Sequence, residues 1–139
     1  MASIDLMQFA NVVNDAWMAH RPPFLATSNE HGAPDIGPKG SMFVADGDHL
    51  AYLEYSKGGH LRNLRANPRV AVVCFNPEAD LRYLRFYGEA ELLESGELRN
   101  ELRARVIPVE LAHDPEDEGI IIRIRVDEVA SPQGTLRRV

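Results

Sequence analysis

The chain has one cysteine in 139 residues, Cys74. That excludes an internal disulfide framework and a cysteine-rich zinc site. Cys74 lies inside the apolar run Val70-Ala71-Val72-Val73-Cys74-Phe75, which predicts a buried, inert thiol. No stretch approaches the roughly 20 apolar residues of a membrane-crossing helix. The N-terminus lacks a basic region followed by an apolar stretch, so no secretory signal is read and a soluble, cytoplasmic protein is expected. Positive charge is also scarce: 15 Lys+Arg stand against 21 Asp+Glu, a formal net charge of −6. Proteins that grip nucleic acid through its phosphates run basic, so that class is disfavoured. The signatures His-Glu-x-x-His, Cys-x-x-Cys, Gly-x-Ser-x-Gly and Gly-x-x-x-x-Gly-Lys-Ser/Thr are missing, which leaves hydrolytic and zinc chemistry without visible apparatus. The five histidines are scattered through different segments.

What remains is ordinary globular material, with 45% hydrophobic and 26% charged residues. A chain of this length is expected to fold as one domain over residues 1–139. A first helix is predicted from Leu6, Phe9/Ala10, Val13 and Ala16/Trp17 at helical spacing, with Ser3 as its cap and Pro22-Pro23 as its stop. Strands are predicted over Phe24–Thr27, Ile36–Val44 and His49–Tyr55, with polar turns at Asn29–Gly32 and Asp46–Asp48. A short helix over His60–Ala66 ends at Asn67-Pro68, and Val70–Phe75 and Leu81–Leu93 are further strands. Ser95 is a candidate cap for a helix whose Leu98, Leu102 and Val106 share a face. In the last strand, Ile120, Ile122, Ile124 and Val126 point one way, while Arg123 and Arg125 point the other. The tail from Ser131 is expected to be irregular. Six strands with short connections and few helices imply a mainly β, α+β fold, an antiparallel sheet curled towards a barrel.

Two stretches could carry chemistry. In Gly37-Pro38-Lys39-Gly40-Ser41, glycines open the backbone to close approach and Lys39 supplies charge; a bulge with a solvated lysine would look the same. Ser56-Lys57-Gly58-Gly59-His60 runs into the short helix, whose first amides and dipole favour a phosphate. A flexible strand-to-helix turn is the alternative reading there.

In order, these stretches, the segment Asn63-Leu64-Arg65-Ala66-Asn67-Pro68-Arg69-Val70 and the later Arg85-Phe86-Tyr87-Gly88 resemble the pyridoxamine 5′-phosphate oxidase-related family of FMN-binding split-barrel proteins. The resemblance runs from about Phe24 to Val129. It implies a homodimer of six-stranded antiparallel split β-barrels, each with an N-terminal helix and short connecting helices, and FMN in a cleft between subunits. By the same resemblance, Lys39, Gly40 and Ser41 lie beside the flavin, and Leu53, Glu54, Tyr55 and Ser56 line the neighbouring strand. Lys57, Gly58, Gly59, His60 and Asn63 fall where the family binds the phosphate and ribityl chain. Oxidases of pyridoxamine phosphate proper carry a C-terminal segment bearing arginine and histidine. Gly134-Thr135-Leu136-Arg137-Arg138-Val139 does not match it.

The expectation is therefore a flavin-dependent oxidoreductase acting on an unidentified small molecule, with a reduced nicotinamide as a possible electron donor. No catalytic acid or base and no metal site are singled out. Alternatives are a deazaflavin or a haem in the same cleft, with His20, His60 and His113 as candidate axial ligands, or a non-catalytic dimeric binding module.

Overall fold

In the computed structural model, which describes residues 4–17 and 19–138, the chain forms one antiparallel sheet. Its strands are β1 (Phe24–Ser28), β2 (Pro34–Pro38), β3 (Phe43–Val44), β4 (His49–Glu54), β5 (Arg69–Phe75), β6 (Tyr83–Leu93), β7 (Ile120–Ser131) and β8 (Gly134–Arg137). The helices are α1 (Ala10–Asn14), α2 (Gly59–Ala66), α3 (Glu97–Arg103) and α4 (Pro108–Leu111), with a 3₁₀ turn at Leu6–Phe9 ahead of α1.

The strand order β2-β1-β5-β6-β7-β4-β3 places β2 and β3 at opposite ends of the sheet, with β8 added on β7. Only Lys39 to Met42 separate those two ends in the chain. Seven strands laid flat would span about 29 Å at roughly 4.8 Å per step. The five residue steps from Pro38 to Phe43 reach at most about 17 Å. The sheet must curl until its ends approach, and Lys39–Met42 cross the seam of a split barrel.

The interior follows from side-chain parity. Leu25 on β1, Val70, Val72 and Cys74 on β5, Leu84 and Phe86 on β6, and Ile120, Ile122, Ile124 and Val126 on β7 enter one buried cluster with Leu50 and Tyr52. The N-terminal segment closes this core with Leu6, Phe9 and Val13, and Phe9 meets Phe86 edge-on at 6.0 Å. Cys74 is 4% exposed, and burial pushes its thiol pKa up to about 12, so it is an inert apolar filler. Residues of opposite parity on β4 and β7, Ala51, Leu53 and Ile121, meet Leu102 of α3 and the following Val106 in a second cluster.

Four local expectations change. The strand expected across Ile36–Val44 is two strands, because Pro38 has no amide to extend the ladder and the chain turns at Gly40-Ser41. The expected irregular tail instead forms β8, a hairpin partner of β7 entered through Gly134 at φ 122°; the short segment Gly-Thr-Leu-Arg carries no alternating apolar signal. These two changes make eight strands of the expected six among the described residues. The first helix is shorter than its apolar spacing suggests, and Asp5 caps its 3₁₀ turn by accepting from Met7 N; Ser3 lies outside the described residues. Gly96, without a side-chain cap, precedes α3 in place of Ser95, and Leu98 is 38% exposed although Leu102 and Val106 are buried.

Candidate functional site

The seam brings the two sequence stretches together at the end of β4. The Ser41 hydroxyl accepts from Leu53 N at 3.0 Å and donates to Leu53 O at 3.4 Å, pinning the turn to the strand. Leu53 points its side chain into the second core, so it presents only backbone here. Next along β4, Glu54 is 2% exposed. Its carboxylate accepts from the Ser56 hydroxyl at 2.9 Å, from Lys57 N at 3.2 Å and from Lys39 Nζ at 3.5 Å. A buried carboxylate needs such partners, because an unpaired one costs several kcal/mol. Glu54 thus organises the bend that follows β4 while neutralising Lys39. Lys39 Nζ also lies 5.2 Å from the centre of the buried Tyr52 ring, whose hydroxyl pKa is raised by burial and by Glu54.

Lys57 is the bend's unusual member. Its φ of 52° lies in the left-handed region, where a side chain costs about 1–2 kcal/mol relative to glycine. Its ammonium has no carboxylate partner among the described residues. Gly58 precedes α2 as an N-cap without side-chain bonds, so the first amides of the helix remain available. Gly59 leaves room for Asp35, whose Oδ2 would lie 3.3 Å from an added Cβ.

A second group lies at the start of α2. His60 Nδ1 is 2.8 Å from the Thr27 hydroxyl on β1, and Asn63 Nδ2 donates to the same oxygen at 3.0 Å. Thr27 is 3% exposed. His60 Nε2 lies above Gly37, 3.1 Å from where a Cβ would be. Burial lowers the His60 pKa; Lys39 lowers it further, while Asp35 and Glu54 act the other way.

A third group covers the other side of the turn. Glu110 of α4, 7% exposed, would lie 2.8 Å from a Cβ on Gly40. Tyr55 stacks on His113 with ring centres 5.0 Å apart at 13°, and His113 Nε2 is 3.7 Å from Glu110 Oε2. Burial, then Glu110 and Glu54, raises the Tyr55 hydroxyl pKa. His20 contributes to none of these groups and sits in a turn at φ 58°.

The sequence reading named Lys39, Gly40, Ser41, Leu53, Glu54, Tyr55, Ser56, Lys57, Gly58, Gly59, His60 and Asn63, and the fold gathers all of them along the seam and the start of α2. It missed Thr27, Asp35, Arg62 and Glu110. Thr27 was findable, since inward parity on β1 places a hydroxyl where Leu25 demands an apolar environment. Arg62, exposed on α2, has no acidic partner among the described residues, and its NH2 would lie 3.7 Å from a Cβ on Gly59. The donors Lys57, Arg62 and the helix amides suit an oxygen-rich anion, while the Ser56 hydroxyl is taken up by Glu54. Among the nearby carboxylates, Glu54 is already satisfied from within, Asp35 faces Gly59, and Lys57 also borders grooves lined by Glu94, Asp117 and Glu118 and by Asp114 and Glu116. Among the described residues, no helix is long and apolar enough to cross a membrane.

A protein from Lactobacillus delbrueckii, described provisionally as a pyridoxamine 5′-phosphate oxidase, superposes with a TM-score of 0.64 at 28% identity, over 84% of this chain and 88% of its own. HupZ of Group A Streptococcus superposes with a TM-score of 0.71 at 21% identity, over 100% of each chain. An FMN-binding protein from Syntrophomonas wolfei gives a TM-score of 0.69 at 12% identity, over 91% of this chain and 87% of its own. The last two establish likeness of fold alone. No curated protein matches the sequence. The profile of the pyridoxamine 5′-phosphate oxidase family matches residues 11–131, from α1 through the end of β7, and takes in the seam, the β4 bend and α2 together. With the split barrel and that match, the chain belongs to the pyridoxamine 5′-phosphate oxidase family.

Proposed function

We propose that the protein is an FMN-binding flavoprotein that works as a homodimer and serves as an oxidoreductase for a small molecule. One observation carries the cofactor reading. At the β4 bend a lysine is held in a backbone conformation that favours glycine, with its ammonium unpaired, beside the free amides of α2. Such strain is tolerated where the side chain has work to do. Lys57, Arg62 and the α2 amides would hold the phosphate, with Ser56 fixing the bend through Glu54. Lys39 and the Ser41–Leu53 backbone would border the ring system, with Glu54 keeping Lys39 in place. When bound, FMN supplies the redox chemistry, accepting and returning electrons. The chain's residues bind it, orient it and keep water from it.

The dimer reading rests on the outer face of β1, β2, β5 and β6. Phe24, Ile36 and Phe75 are 41%, 64% and 59% exposed there, and the register aligns Phe24 with Pro38 and Val73, and Ile36 with Ala26. An apolar face of this kind on a barrel whose interior is already filled suits a second copy of the chain. It adjoins the seam through Pro38 and Lys39, so a partner seated on it would wall the donor-lined groove.

The test is the absorbance spectrum of purified protein, with mass identification of the small molecule released on denaturation. Flavin bands and FMN mass are expected. A haem or a deazaflavin spectrum would replace FMN in this reading, and colourless protein that takes up no added FMN would refute it. Oxidation of a reduced nicotinamide by the yellow protein would then separate an enzyme from a flavin carrier.

A further inference from the structure

The hydrogen bonds around Thr27 decide which nitrogen of a site histidine carries its proton. Thr27 Oγ1 accepts from Asn63 Nδ2 at 3.0 Å and lies 2.8 Å from His60 Nδ1. The hydroxyl has one proton and a 3% exposed residue around it, and among the described residues His60 Nδ1 is its one acceptor. If Nδ1 carried the ring proton, the hydroxyl proton would be buried without a partner. Leaving such a donor unsatisfied is strongly disfavoured. Thr27 therefore donates to Nδ1, and the ring proton sits on Nε2.

Nε2 has no partner among the described residues, and it emerges over Gly37, where a Cβ would approach to 3.1 Å. The missing side chain keeps that nitrogen uncovered. The ring's surroundings act in the same direction: burial and then Lys39 disfavour its protonation, against Asp35 and Glu54. A neutral imidazole has one N–H to give, so its tautomer determines whether it can serve a ligand at all.

We propose that Thr27 is a positioning residue that locks His60 as a neutral Nε2–H donor, aimed at an anionic oxygen of the ligand at the start of α2. Taking that ligand to be the FMN phosphate rests on the functional reading above. In this arrangement the site gains a directional donor that adds no charge beside Lys39. Asn63 serves the ligand indirectly: it donates to Thr27 Oγ1 and offers the hydroxyl proton no acceptor, so that proton goes to Nδ1.

The experiment is a long-range proton–nitrogen correlation spectrum of the ¹⁵N-labelled protein without added ligand, with the His60 ring assigned by its loss in His60→Gln. A protonated Nε2 and a bare Nδ1 are expected in the wild type and in Thr27→Ser. Thr27→Val should shift His60 to mixed tautomers and weaken FMN about fivefold, the effect of one lost oriented hydrogen bond, while Thr27→Ser stays near wild type. A wild-type ring protonated on Nδ1, as would follow if the Asn63 amide were turned over, overturns the inference without any need for a variant. So does a Thr27→Val protein that binds FMN as tightly as wild type. A wild-type protein that binds no FMN instead overturns the functional reading together with the ligand assignment, an outcome distinct from either of these.

Discussion

Lys57 offers a substitution pair in which stability and binding should part company. Lys57→Ala removes the ammonium but keeps a Cβ at φ 52°, so the backbone strain is unchanged. The amide that donates to Glu54 Oε2 is backbone and survives. Folding stability should therefore stay within about 0.5 kcal/mol of wild type, as for most exposed positions. FMN should weaken by about 1–2 kcal/mol, or 5- to 30-fold. That is the lower part of the range for a charge-assisted bond, because solvent screens an exposed ammonium.

Lys57→Gly goes further, since it also removes the strain. Relief of about 1–2 kcal/mol is offset by about 0.4–1 kcal/mol of extra freedom in the unfolded chain. The net is a protein about 0.5–1 kcal/mol more stable than wild type that binds FMN as poorly as the alanine variant. Urea denaturation reads the first quantity, and fluorescence titration with FMN the second. The reasoning fails if Lys57→Ala keeps wild-type affinity, which would remove the ammonium from the site. It also fails if Lys57→Gly is less stable than wild type, which would mean that the left-handed backbone is not strained.

Three further variants address the scaffold and the association of two copies. A Cβ on Gly88, at the register shift between β6 and β7, would lie 2.0 Å from the Arg125 carbonyl oxygen, so Gly88→Ala should cost at least about 3 kcal/mol in denaturant unfolding or prevent folding. Asp114 is a buried carboxyl whose burial alone would raise its pKa, but the Glu118 and Gly119 amides and the Arg103 guanidinium prevail and lower it. Asp114→Asn should cost about 2–3 kcal/mol at neutral pH. Because the folded-state pKa is depressed, the wild-type advantage should be whole above the ordinary value of 3.8 and disappear as pH falls through the lowered one; an advantage that persisted undiminished in strong acid would contradict this. Ile36→Lys together with Phe75→Lys should leave the fold intact, since both residues are exposed, and convert a dimer to a monomer in sedimentation. FMN binding should fall with it if the partner walls the groove.

The legible parts of the fold were those written in local pattern. Alternation at Ile120–Val126 and the run Val70–Phe75 encode burial directly, and Asn67-Pro68 ends α2 for steric reasons visible in any sequence. What local pattern could not show was the division of Ile36–Val44. Both halves are extended, and their separation to opposite ends of the sheet depends on the pairing of the other strands. The same limit hid β8, whose burial comes from β7 and whose own residues are mostly exposed. In the site, Lys57-Gly58-Gly59 advertised itself by composition. The Thr27–His60–Asn63 group did not, because its members come from β1 and α2, and only the pairing of β1 with β5, the strand that follows α2, brings them within hydrogen-bonding distance.

The curl of the sheet explains why the site residues line an open seam in one copy. An apolar groove of the single chain, about 230 Å³, lies between α1 and the end of β5 against Ala16, Cys74 and Phe75, and neither Lys39 nor Lys57 lines it. It is smaller than the roughly 300–1,000 Å³ of most ligand sites and offers few groups to hold an anion. A pocket made by one chain would need interior space, and the interior is filled by Leu25, Tyr52, Phe86 and the β7 isoleucines. The donors are consequently displaced to the rim, where β2 passes into β3. A rim shields a ligand from water on one side only. The uncovered apolar strip from Ile36 to Phe75 lies on the face of β1 and β2 opposite α2, and the two surfaces meet along the edge of β2, so a partner seated on the strip and reaching over that edge would supply the missing wall. Association through this strip would meet both needs at once, which is why loss of the dimer and loss of the cofactor are expected together.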